Sequence, residues 1–245
     1  GTAEVMGLKQ EVLAGIELTD ERSDAFSYNT NSVIKPADLF GEPGSNTGVA
    51  DTRIKNPATS FKARTMAQYG QNTVSLTEKW KLMGGIRYDD FDATYVRSST
   101  STTSRRDQLF SHRFGALYQP DQDSSYYISK GSSFNTSGDL YQFDLPQGQS
   151  QDSSKTPAEK SQNFEIGAKW NLLNGDLAMR TALFRTEKTN ERNTDLDQAS
   201  GAYLLSGRRH TDGIEFEAAG RITDRIEVFG GTAIMWGKID KAGSS

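Results

Sequence analysis

Two histidines, His112 and His210, are all that the 245-residue chain offers for imidazole chemistry. That is too few for a multi-histidine metal site, and neither stands at a metal-binding spacing from carboxylates. His112 has Ser111 and Arg113 beside it, but neighbours along a strand point to opposite faces. Its parity groups it with Phe110 and Phe114, which makes it a wall residue rather than a base. His210 follows Arg208 and Arg209 where a loop gives way to a strand, in a solvated basic cluster. There is no Gly-x-Ser-x-Gly elbow and no Gly-Lys-Ser/Thr phosphate loop. Asp121-Gln122-Asp123 and Asp195-Leu196-Asp197 lack the following Gly and distal Glu of a calcium loop and read as turn chemistry. The absence of cysteine excludes a disulfide framework, a thiolate zinc site and a Cys nucleophile. The expectation is a protein that is not an enzyme and holds no cofactor or metal of its own.

The elements that carry these residues are strands. No stretch approaches the roughly 20 consecutive apolar residues of a spanning helix. The acidic excess, 32 Asp+Glu against 28 Lys+Arg, argues against nucleic acid, whose binders show a clustered basic footprint. No charged-then-apolar leader opens the chain, so any export signal is expected to be gone already. Period-two alternation recurs instead, at 80–88, 110–118, 164–170 and 214–222. It predicts nine strands near 8–20, 60–76, 80–97, 107–119, 124–134, 161–171, 176–191, 201–222 and 226–238, and no helix. Thr77–Lys79, Pro120–Asp123, Leu172–Gly175 and Thr223–Arg225 have the composition of tight turns. Between them fall longer Ser/Thr/Asn/Asp/Gly-rich connections at about 29–59, 98–106, 135–160 and 192–200.

Strict alternation of short and long connections is the habit of an up-and-down outer-membrane barrel. Aromatics give a second sign. Trp80 and Trp170 flank short turns, as do Tyr118, Tyr126 and Tyr127, while Tyr88 and Phe110 stand at the far ends of their strands. Eight residues of strand, tilted about 40°, rise roughly 21 Å, near the ~25 Å apolar band between aromatic girdles. The fold class expected is therefore all-β, an antiparallel up-and-down transmembrane β-barrel segment over residues 1–245. The other parity, with Arg87, Asp89, Glu165, Lys169, Glu215, Glu217 and Arg221, is then expected to line the lumen. Single-chain bacterial barrels have even strand counts, and an open sheet leaves unpaired edges in lipid. Nine strands thus read as part of a larger barrel. The competing reading is a soluble secreted β-sandwich or adhesin-type binding protein, which buries one face against a second sheet and needs no aromatic girdles.

The run Lys160-Ser161-Gln162-Asn163-Phe164-Glu165-Ile166-Gly167-Ala168-Lys169-Trp170 resembles the barrel of TonB-dependent siderophore receptors. So do Asn174-Gly175-Asp176-Leu177, the stretch from Ala182 to Asn190, Leu205-Ser206-Gly207 and the stretch from Thr211 to Gly220. Gly84-Gly85-Ile86-Arg87-Tyr88-Asp89 and Leu13-Ala14-Gly15-Ile16-Glu17 are similar to that family's recurrent strand endings. The resemblance implies a middle section of a barrel of about 22 strands, with a plugged lumen. It implies outer-membrane lipid as surroundings, a ferric siderophore as transported ligand, and a TonB complex that supplies energy through an N-terminal region. No plug, TonB-contacting segment or closing strand is recognised in 1–245. A ferric catecholate or hydroxamate is bulky and often anionic, so aromatic rings and guanidinium donors on the outer loops are the contacts to expect. These are Arg105, Arg106, Tyr141, Phe143, Arg192 and Tyr203.

Overall fold

The computed structural model describes residues 1–28, 54–57, 59–98, 101–136, 157–194 and 203–241. They form a single ten-stranded antiparallel sheet in which each strand pairs with its neighbours in sequence: β1 (Thr2–Val5), β2 (Leu8–Ala25), β3 (Thr59–Ser75), β4 (Trp80–Ser98), β5 (Ser101–Tyr118), β6 (Ser124–Asn135), β7 (Glu159–Leu172), β8 (Leu177–Thr194), β9 (Tyr203–Thr223) and β10 (Ile226–Lys241). There is no second sheet among the described residues, so the sandwich reading does not hold. Apart from one three-residue 3-10 turn at Leu173–Gly175, no helix occurs there either.

Two expectations need correction. A tenth strand, β1, precedes the predicted set and pairs Val5 with Leu8 across a two-residue turn. Met6 and Gly7 both take positive φ there, 55° and 73°, as a primed hairpin turn requires. Four residues are too few to show a period, and Met is a poor signal for such a turn. Second, 98–106 is not a long loop. β4 and β5 stay paired out to Ser98 and Ser101, so this hairpin closes over two residues. Its Ser/Thr-rich end lies beyond the apolar band, where a strand needs no apolar face, and threonine suits a strand.

Several strands exceed the roughly 9–11 residues that cross a membrane; β4 has 19 and β9 has 21. The short-turn end is marked by rings in succession across β4 to β7. Trp80 stacks on Tyr118 at 4.6 Å, Tyr118 on Tyr126 at 6.4 Å, and Trp170 meets Tyr126 edge-on at 6.1 Å. The Trp170 indole N–H donates to the Tyr126 hydroxyl at 3.3 Å, so the rings keep polar tips at the interface, where amphipathic aromatics are stable. From that girdle one face carries Leu82, Ile86, Tyr88, Phe110, Phe114, Ile128, Phe164, Ile166, Leu183 and Ile214, all exposed. A contiguous exposed apolar surface of this extent is a lipid-facing wall. The opposite face is polar within the band. Beyond it, on β3 and β4, that face becomes a small core of Phe61, Ala63, Phe91, Ala93 and Tyr95.

Candidate functional site: the polar face and its outer rim

The register brings charged side chains from separate strands together on the polar face. Arg87 of β4 donates from Nη1 to Glu17 of β2 at 2.9 Å and from Nη2 to Asp89 at 2.8 Å. The Tyr69 ring of the intervening β3 lies 5.9 Å from that guanidinium. Asp89 is buried, so its full pairing is what makes its charge tolerable there. Farther along, Arg113 donates to Gln71 at 3.0 Å, Tyr127 to Glu165 at 2.5 Å, and Arg180 to Glu217 at 2.5 Å. Lys169 sits 5.7 Å from the Tyr127 ring. The expected lumen face is therefore a cross-strand ladder of ion pairs and hydrogen bonds. Its partners Glu17, Gln71, Arg113, Tyr127 and Arg180 escaped the sequence reading because register, not sequence proximity, makes them neighbours.

Glycines shape the same face. Tyr69 lies across Gly15, Tyr127 across Gly167 and Phe184 across Gly213, each on the paired rung of the next strand. A Cβ at Gly167 would stand 2.5 Å from the Tyr127 ring. The ring can lie flat and aim its hydroxyl at Glu165 only because nothing projects there.

The predicted ligand-contact residues are distributed unevenly. Arg105 and Arg106 lie on β5 rather than in a loop, and as neighbours they take opposite faces. Arg105 is buried on the polar side and donates to Asp107 from Nε at 2.6 Å and from Nη2 at 2.7 Å. Arg106 continues the apolar face outward and grips Asp90 with bonds of 2.8 and 2.5 Å. Arg192 and Tyr203 fall on the outer ends of facing strands, opposite Leu205 and Thr194 respectively. Tyr141 and Phe143 lie outside the described residues, as do the acidic run 195–197 and most of the predicted long connections.

His112 sits among the apolar-face residues beside Phe114, with Ser132 Oγ at 3.2 Å from its Nδ1. His210 pairs with Asp240 at 2.7 Å on the outer end of the apolar face. Among the described residues no cluster of three or more His, Cys, Asp or Glu side chains is placed to hold a metal ion.

Comparison with known proteins follows the same lines. Residues 3–244 match the family described as TonB dependent receptor-like, beta-barrel. BfrD of Bordetella pertussis, described as a probable TonB-dependent receptor, is 31% identical over 200 residues, covering 78% of this chain and 26% of that protein. The catecholate siderophore receptor Fiu of Escherichia coli K12 is 28% identical over 247 residues, covering 90% of this chain and 32% of that protein. The crystal structure of the siderophore receptor PiuA from Acinetobacter baumannii superposes with a TM-score of 0.76 at 22% identity, over 100% of this chain and 38% of that one. The closed form of Fiu gives 0.75 at 24% identity, over 98% of this chain and 37% of that one. The chain thus spans roughly a quarter to a third of the length of these curated relatives.

Proposed function

The chain belongs to the TonB-dependent receptors of the bacterial outer membrane, within their β-barrel, and from that premise we propose that it serves in the uptake of a ferric siderophore. Its strands build part of the barrel wall and their outer ends part of the ligand vestibule. The observation that carries this reading is the division of one sheet into an apolar face and an ion-paired polar face, the construction a lipid-embedded barrel with a filled lumen needs. The identity of 28% to a catecholate receptor favours a catecholate as the chelating group.

In this reading iron enters as part of the cargo, the protein adds no resident metal and no chemical step, and energy comes from a TonB complex. Ligand contacts fall to Tyr141, Phe143, Arg192 and Tyr203, whose rings and guanidinium suit an anionic aromatic chelate. Arg105 acts on that vestibule through its buried pair with Asp107, and Arg106 belongs to the outer wall. The test is uptake of radiolabelled iron by an iron-starved strain that lacks its own catecholate receptors and expresses the protein. Uptake from a ferric catecholate that disappears when TonB is deleted supports the proposal. Failure of every catecholate and hydroxamate offered, with folded protein in the outer membrane, refutes it.

A further inference from the structure

Lys130 is out of keeping with its surroundings. It lies exposed on the lipid-facing side of β6, on one rung with Phe114 of β5 and Phe164 of β7. On β5 the apolar residues of that face run on past this rung to Phe110, and on β7 they end at Phe164 itself. The side chain therefore starts inside the apolar band, close to its outer margin. Its four-carbon stem can carry the charge outward to the headgroup layer. The residues around it supply no counter-charge. Adjoining same-face rungs of β5, β6 and β7 place His112, Ser132 and Gln162 outward of Lys130 and aliphatic side chains inward. The first carboxylate met on this face is Glu187, two strands away on β8 and beside Arg185. Among the described residues Lys130 makes no hydrogen bond or ion pair. Other cations of this face are matched: Arg106 has Asp90, Arg185 has Asp212, and Lys160 stands on the next same-face rung to Glu187.

A groove of about 590 Å³ extends from Lys130 toward the girdle. Every other residue that lines it stands on the rung of Lys130 or on the next two rungs inward. Gly84 and Ala116 lower the wall there, between Leu82, Phe114 and Ile128. Outward of Lys130 the wall divides. β5 runs to Ser101 and β6 to Asn135, yet the two stay paired only as far as Arg113 and Gly131, one residue beyond Lys130. The His112 amide donates to the Ser132 hydroxyl at 3.1 Å in place of a strand carbonyl. Among the described residues no strand fills this fork.

We propose that Lys130 binds the anionic headgroup of an outer-leaflet lipid, with the acyl chain in the groove beneath it and the headgroup at the mouth of the fork. One cation at the outer rim of an apolar groove matches the polarity of such a lipid, head outward and chain inward. A lysine without a counter-ion on a lipid-facing wall is costly, and the headgroup supplies that counter-ion. A soluble anion would use the lysine and leave the groove unfilled. The inference rests on the barrel orientation adopted above and not on the identity of the cargo.

The test uses the protein extracted from the outer membrane in detergent, titrated with dioleoyl phosphatidic acid and followed by native mass spectrometry. Dioleoylglycerol, with the same chains and no phosphate, and inorganic phosphate are the comparison ligands. At about 1 kcal/mol for a lysine at a charged headgroup, Lys130→Gln is expected to lose about fivefold in affinity for phosphatidic acid, and Lys130→Arg to keep it. Ala116→Leu, which fills the groove and leaves the charge, is expected to weaken phosphatidic acid and dioleoylglycerol alike. A control substitution at the far end, Arg225→Gln, is expected to be silent. Equal affinity in wild type and Lys130→Gln overturns the proposal, as does inorganic phosphate binding as tightly as phosphatidic acid, which would mark a free-anion site. Unchanged binding by Ala116→Leu overturns the groove as the seat of the chain. Heat-dependent electrophoretic mobility reports folding, and Lys130→Met replaces Lys130→Gln if that fails to fold. Iron uptake is read on the same variants, so a lost lipid site and a failed transport reading give different results.

Discussion

The polar face shows how little room single residues have. Gly167 leaves space for the Tyr127 ring, and that ring delivers its hydroxyl to Glu165. Gly167→Val is expected to cost about 1–3 kcal/mol of folding stability, the usual range for overpacking, measured by urea-dependent folding into detergent or bilayers. Adding Tyr127→Ala should recover part of that loss by removing the clash, and a Gly167→Val barrel as stable as wild type would contradict the packing account. In the turn before β6, Asp121 accepts from the Ser124 hydroxyl at 2.7 Å and the Asp123 amide at 3.0 Å. The Ser124 bond foremost holds its carboxyl below the ordinary value. A depressed carboxyl stabilises the fold above the ordinary carboxylate value, and that contribution disappears as pH falls through the depressed one. The protection factor of the Asp123 amide, its exchange relative to the unstructured rate at the same pH, should therefore fall on acidification into that range, and Asp121→Asn should flatten the dependence.

At the scale of elements, the β4–β5 hairpin runs paired well past the lipid band and packs a small core on its inner side. Arg105 and Asp107 sit in that region with side chains only 7% and 12% exposed. Removing one partner leaves a buried charge alone, which typically costs about 3–5 kcal/mol. Arg105→Ala is expected to loosen the outer half of the hairpin, read as faster amide exchange from Tyr95 to Leu109. The double change Arg105→Leu, Asp107→Leu should be far milder, and equal damage from both would deny the pair its role. This hairpin is also where the sequence misled most. Serine and threonine look like loop composition, yet outside the membrane a strand is held by its ladder and the parity signal is lost.

For the whole molecule, the apolar wall is the governing feature. An arginine on the lipid face near mid-band is expected to cost about 2–4 kcal/mol and one near the boundary about 0–1. Ile86→Arg should therefore impair folding into bilayers far more than Thr94→Arg on the same face of the same strand, a contrast that equilibrium folding in vesicles measures directly. The chain 1–245, with this wall and with open edges on β1 and β10, is expected to be insoluble or oligomeric without detergent, because unpaired edges template further pairing. A monodisperse detergent-free monomer by light scattering would contradict it.

What the amino-acid sequence determined by itself is everything that depends on local period and turn chemistry. That covers nine of the ten strands, their apolar parity, four of the short turns, the girdle aromatics and, through them, the barrel class. Those signals repeat every second residue and need no knowledge of neighbours. The tertiary structure decided what depends on register. It made Arg87 the bridge between Glu17 and Asp89, set Arg106 on Asp90 of the neighbouring strand, and brought Arg22 and Arg64 to the one carboxylate of Asp20. Pairing fixes which residues of distant segments share a rung, and a shift of one residue would turn each of these side chains to the other face.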